Sequence, residues 1–148
     1  MNREDLSPGY ETVFTVTDYS GWPRKGIANY RGTPHLYEYV SSEAKNPDSK
    51  LFRLTPVSAE IFQLAMEDWE IWRRWVAAFY ERKADISTSP ALPRDSCRHE
   101  ELKRMLDEFL IFDPAKTIIR VGRFEVLAEP SVPERVIRQL QVKWTQPV

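Results

Sequence analysis

The stretch SAEIFQLAMEDWEIWRRWVAAFYERK, residues 58–83, is where the apolar spacing of the chain switches from every second residue to every third or fourth. Laid on a helix at about 100° per residue, Ile61, Leu64, Ala65, Ile71, Trp72, Trp75, Val76 and Phe79 fall on one broad face. Glu67, Glu70, Arg74 and Glu81 take the far side, with Glu70 and Arg74 a favourable i,i+4 pair. Ser58 suits the N-cap and Glu60 the first turn, where the helix dipole favours negative charge. Asp68 breaks the pattern, because it projects from the middle of the apolar face, one turn from Leu64, Ala65, Ile71 and Trp72. A carboxylate on such a face is costly unless it is paired or hydrogen-bonded, so Asp68 is expected to have a specific partner.

On the N-terminal side the spacing is that of strands. Met1–Tyr10 reads as a loose leader. Thr12–Asp18 is β-branched and alternating, and Lys25–Tyr30 and Pro34–Ser41 are joined by Arg31-Gly32-Thr33, a hairpin connection in which Gly accepts positive φ. In the second of these His35, Tyr37 and Tyr39 share a face. Ser42–Ser49 reads as a polar turn and Lys50–Thr55 as a fourth strand. On the C-terminal side, Ala84–Pro93 is a loop whose prolines stop the helix. A second helix is expected from about Asp95 to Phe109, capped by Asp95 or Ser96, with Leu102, Met105, Leu106, Phe109 and Leu110 as its apolar side. Thr117–Leu127 and Val136–Trp144 read as strands, the latter with Leu140, Val142 and Trp144 inward.

Four strands, two helices and two strands in that order make an α+β chain. The expected architecture is an antiparallel sheet or partly closed barrel of about six strands, covered by a two-helix hairpin. Residues 1–148 read as one domain, with the hairpin, residues 58–110, inserted between strands.

Bulk composition excludes more than it assigns. The net charge of −1 provides no global field for nucleic acid or an anionic membrane. Met1–Gly9 lacks the apolar core of a signal peptide, and the apolar run within 61–80 is interrupted by charges, so a cytoplasmic location is expected. The single cysteine, Cys97, excludes an internal disulfide and fits a reducing compartment. No metal-binding spacing and no Gly-rich phosphate loop is present, so no metal or cofactor is expected.

Three constellations remain. Asp68 has His99 and His35 as candidate partners, with Trp69, Trp72 or a Tyr hydroxyl as other donors. An Asp–His pair is half of a nucleophilic triad and equally a common structural hydrogen bond. The nucleophile is missing: Ser41, Ser42, Ser87 and Ser89 are ordinary loop serines outside any Gly-x-Ser-x-Gly elbow. Cys97 lies near a helix N-terminus, where a thiol pKa falls, but faces about 200° away from His99. The third constellation is the Tyr19–Arg31 loop region. It gathers Trp22, Arg24, Lys25, Tyr30 and Arg31 near one end of the first strands, a composition shared by protein-binding hot spots and single-strand nucleic-acid platforms. Arg120, Arg123, Arg135 and Arg138 add positive charge later in the chain.

The runs Gly26–Glu38 and Glu67–Trp72 resemble small bacterial proteins of unassigned activity, over about the middle two thirds of the chain. That resemblance implies a bacterial, cytosolic origin and brings no catalytic residues. With no complete catalytic set, the sequence leans away from an enzyme. The leading expectation is a non-catalytic binding module whose partner is another protein. The alternatives are a small hydrolase using Asp68 with His99 or His35, and single-stranded nucleic-acid binding through Tyr19–Arg31.

Overall fold

The computed structural model describes residues 6–128 and 139–148. Its strands are β1 (Glu11–Tyr19), β2 (Pro23–Tyr30), β3 (Thr33–Glu43), β4 (Asn46–Pro56), β5 (Ile118–Ala128) and β6 (Gln139–Thr145). Between β4 and β5 come the helices α1 (Ala59–Tyr80) and α2 (Ser96–Phe109), with short 3-10 turns at Ile86–Thr88 and Pro93–Asp95. The chain forms two compact units: a barrel built on β1–β6, and a helical unit over Ser58–Ile111. No helix among the described residues is long and apolar enough to cross a membrane.

The sheet closes completely, in the order β1-β2-β3-β4-β5-β6 with every pair antiparallel. Closure is the work of Glu11↔Val142 and Thr12↔Gln141, which join the first strand to the last and remove both sheet edges. β1 carries three register shifts, between Val13 and Thr15, Val16 and Asp18, and Asp18 and Tyr19. Such bulges bend a strand and increase its twist, as a narrow barrel requires. At one bulge the Thr15 hydroxyl takes over ladder duty and accepts from the Ile27 amide at 2.9 Å.

The barrel interior is aromatic. Tyr37, Phe52, Phe124 and Trp144 pack so that every one of the ring pairs among them has centroids 5.1–6.1 Å apart. Ala28, Leu54 and Val142 complete the buried centre. Two glycines make room for these rings. A Cβ on Gly122 would lie 2.5 Å from the Trp144 ring and 2.8 Å from Phe52. A Cβ on Gly26 would lie 2.1 Å from the Thr15 carbonyl oxygen and 2.7 Å from the Tyr37 hydroxyl. With glycine there, the Tyr37 hydroxyl donates to the Thr15 carbonyl at 3.1 Å. Burial pushes that phenol well above the ordinary phenolic range.

Several expectations are corrected. Residues 6–10 are not a loose leader: the Ser7 amide donates to Gln141 Oε1 at 2.8 Å, Gln141 Nε2 donates to Ser7 Oγ at 3.0 Å, and the Tyr10 hydroxyl donates to Glu125 at 2.8 Å. Gln141 is therefore buried although it faces outward. The β3–β4 hairpin is longer than its apolar pattern, pairing as far as Glu43↔Asn46, because the backbone ladder needs no apolar side chains. Ser41 and Ser42 accordingly lie in β3, not in a loop. Ile119 of β5 is substantially exposed, since the inward positions are Ile118, Gly122 and Phe124, and Val126 is equally exposed next to the register shift that ends the strand. The start of the last expected strand, 136–138, lies outside the described residues, as do Arg135 and Arg138.

The helical unit has its own small centre of Ile71, Ala91 and Leu102, flanked by Leu64 and Met105. Ser58 caps α1, its Oγ accepting from the Ile61 amide at 3.3 Å. The helix stops at Tyr80, three residues before the expected Lys83, with Arg82 at positive φ. Trp75 stacks on Phe79 and donates its indole N–H to Thr88 Oγ1 at 2.9 Å, tying the loop back to the helix. Phe109 is exposed rather than part of the apolar side of α2.

Candidate functional site

The expected partner of Asp68 is found within the helical unit. His99 Nδ1 lies 2.7 Å from Asp68 Oδ1, and because a carboxylate only accepts, Nδ1 carries the proton and donates. The His99 and Asp68 side chains are 14% and 24% exposed, so the pair is mostly sheltered. It sits in a polar seam between α1 and α2. Arg98 donates to both carboxylate oxygens of Glu67, at 2.6 and 2.7 Å. Arg74 donates to both oxygens of Asp95, at 3.0 Å each. Asp95 is thus spent on Arg74 and makes no side-chain cap for α2. The guanidinium hydrogen bonds hold the Glu67 and Asp95 carboxyls below their ordinary range.

The arrangement can orient an imidazole and leave Nε2 available as a base. No hydroxyl or thiol is hydrogen-bonded to His99 among the described residues. Cys97 is exposed. Ser42 bonds the Tyr39 hydroxyl at 3.3 Å. His35, the other candidate, is in the barrel: it is buried, its Nδ1 donates to the Thr33 carbonyl at 2.8 Å, and its ring meets Tyr30 edge-on. It is not the partner of Asp68. No group of three or more His, Cys, Asp or Glu among the described residues is placed to hold a metal ion.

The five residues expected to gather near one end of the first strands do not form one cluster. Trp22 precedes β2 and Tyr30 ends it, so an eight-residue strand, about 23 Å of rise, separates them. At the far end Arg31 and Gly32 form the β2–β3 turn, with φ of 53° and 76°. Two successive positive φ values are the signature of a two-residue hairpin turn that matches strand twist. The Glu11 carboxylate accepts from both of their amides, at 2.9 and 2.8 Å, which offsets the strain of a non-glycine residue there. Arg31 and Arg120 lie over the Tyr30 ring, and Arg120 Nε also donates to its hydroxyl at 3.1 Å. Lys25 faces outward and pairs with Glu38 at 3.9 Å, beside Arg53 on the same carboxylate.

The near end is a different assembly. Pro23 turns Trp22 back onto the barrel, where it is half-buried and meets Tyr39 edge-on at 4.5 Å and Phe52 at 6.3 Å. The Arg24 guanidinium lies 5.1 Å from both the Trp22 and Tyr39 rings, and Lys50 Nζ lies 4.8 Å from Trp22. Tyr39 and Lys50 were not among the expected binding residues. Alternation places Arg24 opposite Tyr39 only once the β2–β3 register is known, and Lys50 joins through the β3–β4 register.

Compared with protein-family models, with curated proteins and with solved structures, the chain matches none.

Proposed function

We propose that this chain is a non-catalytic binding module that contacts another protein at the barrel end holding Trp22 and Arg24, with Tyr39 and Lys50 beside them. The observation that carries the reading is a half-buried tryptophan locked edge-on against Tyr39 and Phe52, with Arg24 and Lys50 over its ring. Tryptophan and arginine are the residue types most enriched among binding hot spots. A ring already held in place loses little freedom on binding. The lone Cys97 fits a reducing compartment, and we assign the module to the cytoplasm. The test is affinity capture from the source cells with the intact chain, alongside Trp22→Ala and Arg24→Ala. Partners held by the wild type should be lost by both variants while the thermal midpoint stays high. Retention of every partner by folded Trp22→Ala refutes the proposal.

A second reading, a small hydrolase, draws on the sheltered Asp68–His99 bond, which fixes the imidazole tautomer. A panel of chromogenic ester and phosphoester substrates tests it. Turnover by the wild type that falls about 100-fold in folded His99→Gln would make general-base catalysis the better account.

A further inference from the structure

We infer that the Trp22 cluster takes a carboxylate carried on an acidic peptide segment of the partner. This rests on the binding-module reading above and names the chemistry of its ligand. Arg24 and Lys50 are held over the same indole, 5.1 and 4.8 Å from its centroid, so their charges lie within about 10 Å of each other. Neither side chain has a carboxylate partner or a hydrogen bond among the described residues. Some other barrel cations do have carboxylate partners: Lys25 and Arg53 share Glu38, and Arg123 pairs with Glu125 at 3.0 Å. Two like charges fixed on one ring repel, and an oxyanion between them converts repulsion into attraction. The planar guanidinium offers two parallel donors to a carboxylate, and the ammonium adds a point charge. The Trp22 and Tyr39 rings provide apolar surface for the side chains that flank an acidic residue in a peptide.

A polyanion fits this end poorly. Exposed Asp18 near the end of β1, Glu43 at the end of β3 and exposed Asp48 near the start of β4 lie on strand ends that flank the β1–β2 and β3–β4 connections. The chain as a whole carries −1. A nucleic-acid backbone needs a track of cations and gains its affinity from the field they make. One carboxylate needs only the local pair.

The experiment uses the intact, isotope-labelled chain and two degenerate short-peptide libraries, acetylated and amidated, identical except for a fixed central Glu in one and Gln in the other. The Glu library should shift the Trp22 indole N–H and Arg24 Nε–H resonances, leave the Trp144 indole unmoved, and bind about tenfold or more tighter than the Gln library. Arg24→Gln with Lys50→Gln should lose that preference while the thermal midpoint holds. Equal responses to the two libraries, an undiminished response in the double variant, no response at the cluster, or preferential binding of oligothymidylate would overturn the inference. A natural partner lost by Trp22→Ala but kept by the double Gln variant would overturn it while leaving the binding-module reading standing.

Discussion

Replacing Asp68 by alanine removes the acceptor of the 2.7 Å hydrogen bond from His99. A hydrogen bond to a charged group contributes about 1.5–3 kcal/mol net. The side chains are 24% and 14% exposed, so water only partly replaces the lost partner, and about 2 kcal/mol is the expected loss. Alanine is the better helix former by about 0.5 kcal/mol, which leaves a net destabilisation near 1.5 kcal/mol. In urea, with a slope of about 2 kcal/mol per molar, the midpoint should fall by about 0.7 M. Helical ellipticity is the signal, because both residues lie in helices. Asp68→Asn keeps an acceptor oxygen and should lose about half as much. The cycle of Asp68→Ala, His99→Ala and the double variant cancels the propensity term and should return a coupling of about 1–2 kcal/mol. Single-variant changes within about ±0.5 kcal/mol, the range of ordinary surface positions, together with zero coupling, would refute the bond in solution and the phase assigned to α1.

The barrel interior makes a sharper steric prediction. Gly122→Ala places a methyl 2.5 Å from Trp144 and 2.8 Å from Phe52, so it should destabilise by about 1–3 kcal/mol and alter the near-ultraviolet dichroism of the ring cluster. An unchanged melt and spectrum would contradict the ring packing. The hairpin seam predicts an acid response. Hydrogen bonds from Arg98 and Arg74 depress the Glu67 and Asp95 carboxyls, so the stabilisation is fully present above the ordinary carboxylate range, about pH 4, and is lost as pH falls through the native values. Glu67→Gln with Asp95→Asn should flatten this acid limb in helical ellipticity, and an unaltered limb would assign the acid response to other groups. Tyr37 predicts the alkaline counterpart. Burial raises its phenol, so stability is complete below the unfolded value of about 10 and falls as pH rises beyond it. In a spectrophotometric titration the Tyr37 fraction, found by difference with Tyr37→Phe, should ionise only as the barrel unfolds. Ionisation of Tyr37 in step with the exposed tyrosines would disprove its burial.

Much of this molecule was legible before folding. Ser58 and the spacing of Ile61, Leu64, Ala65 and Ile71 placed α1 and left Asp68 in need of a partner. His99 stood beside His35 among the candidate partners, because antiparallel helices joined by a proline-rich loop bring residues of both within reach, and the structure selects His99. Alternation put His35, Tyr37 and Tyr39 on one face, and the structure turns Tyr37 into the barrel core. Gly26 and Gly122 carry a signal of their own, since a glycine inside a strand marks a bulge or a close approach. The candidate binding site was less legible. Composition grouped Trp22 with Tyr30 and Arg31 because they are near in sequence, whereas an intervening strand carries them to opposite ends of the barrel.

The two-residue and 3.6-residue periodicities that define strands and helices are local, so the sequence alone determined the order of elements, the α+β class and which faces are apolar. Barrel closure depends on Glu11 meeting Val142, and the cluster at Trp22 depends on Arg24, Tyr39 and Lys50 meeting across two strand registers. Those pairings join segments that share no local pattern. Tertiary structure alone decided them, because a backbone ladder accepts almost any side chain and it is the packing of Tyr37, Phe52, Phe124 and Trp144 that selects one register from the many available.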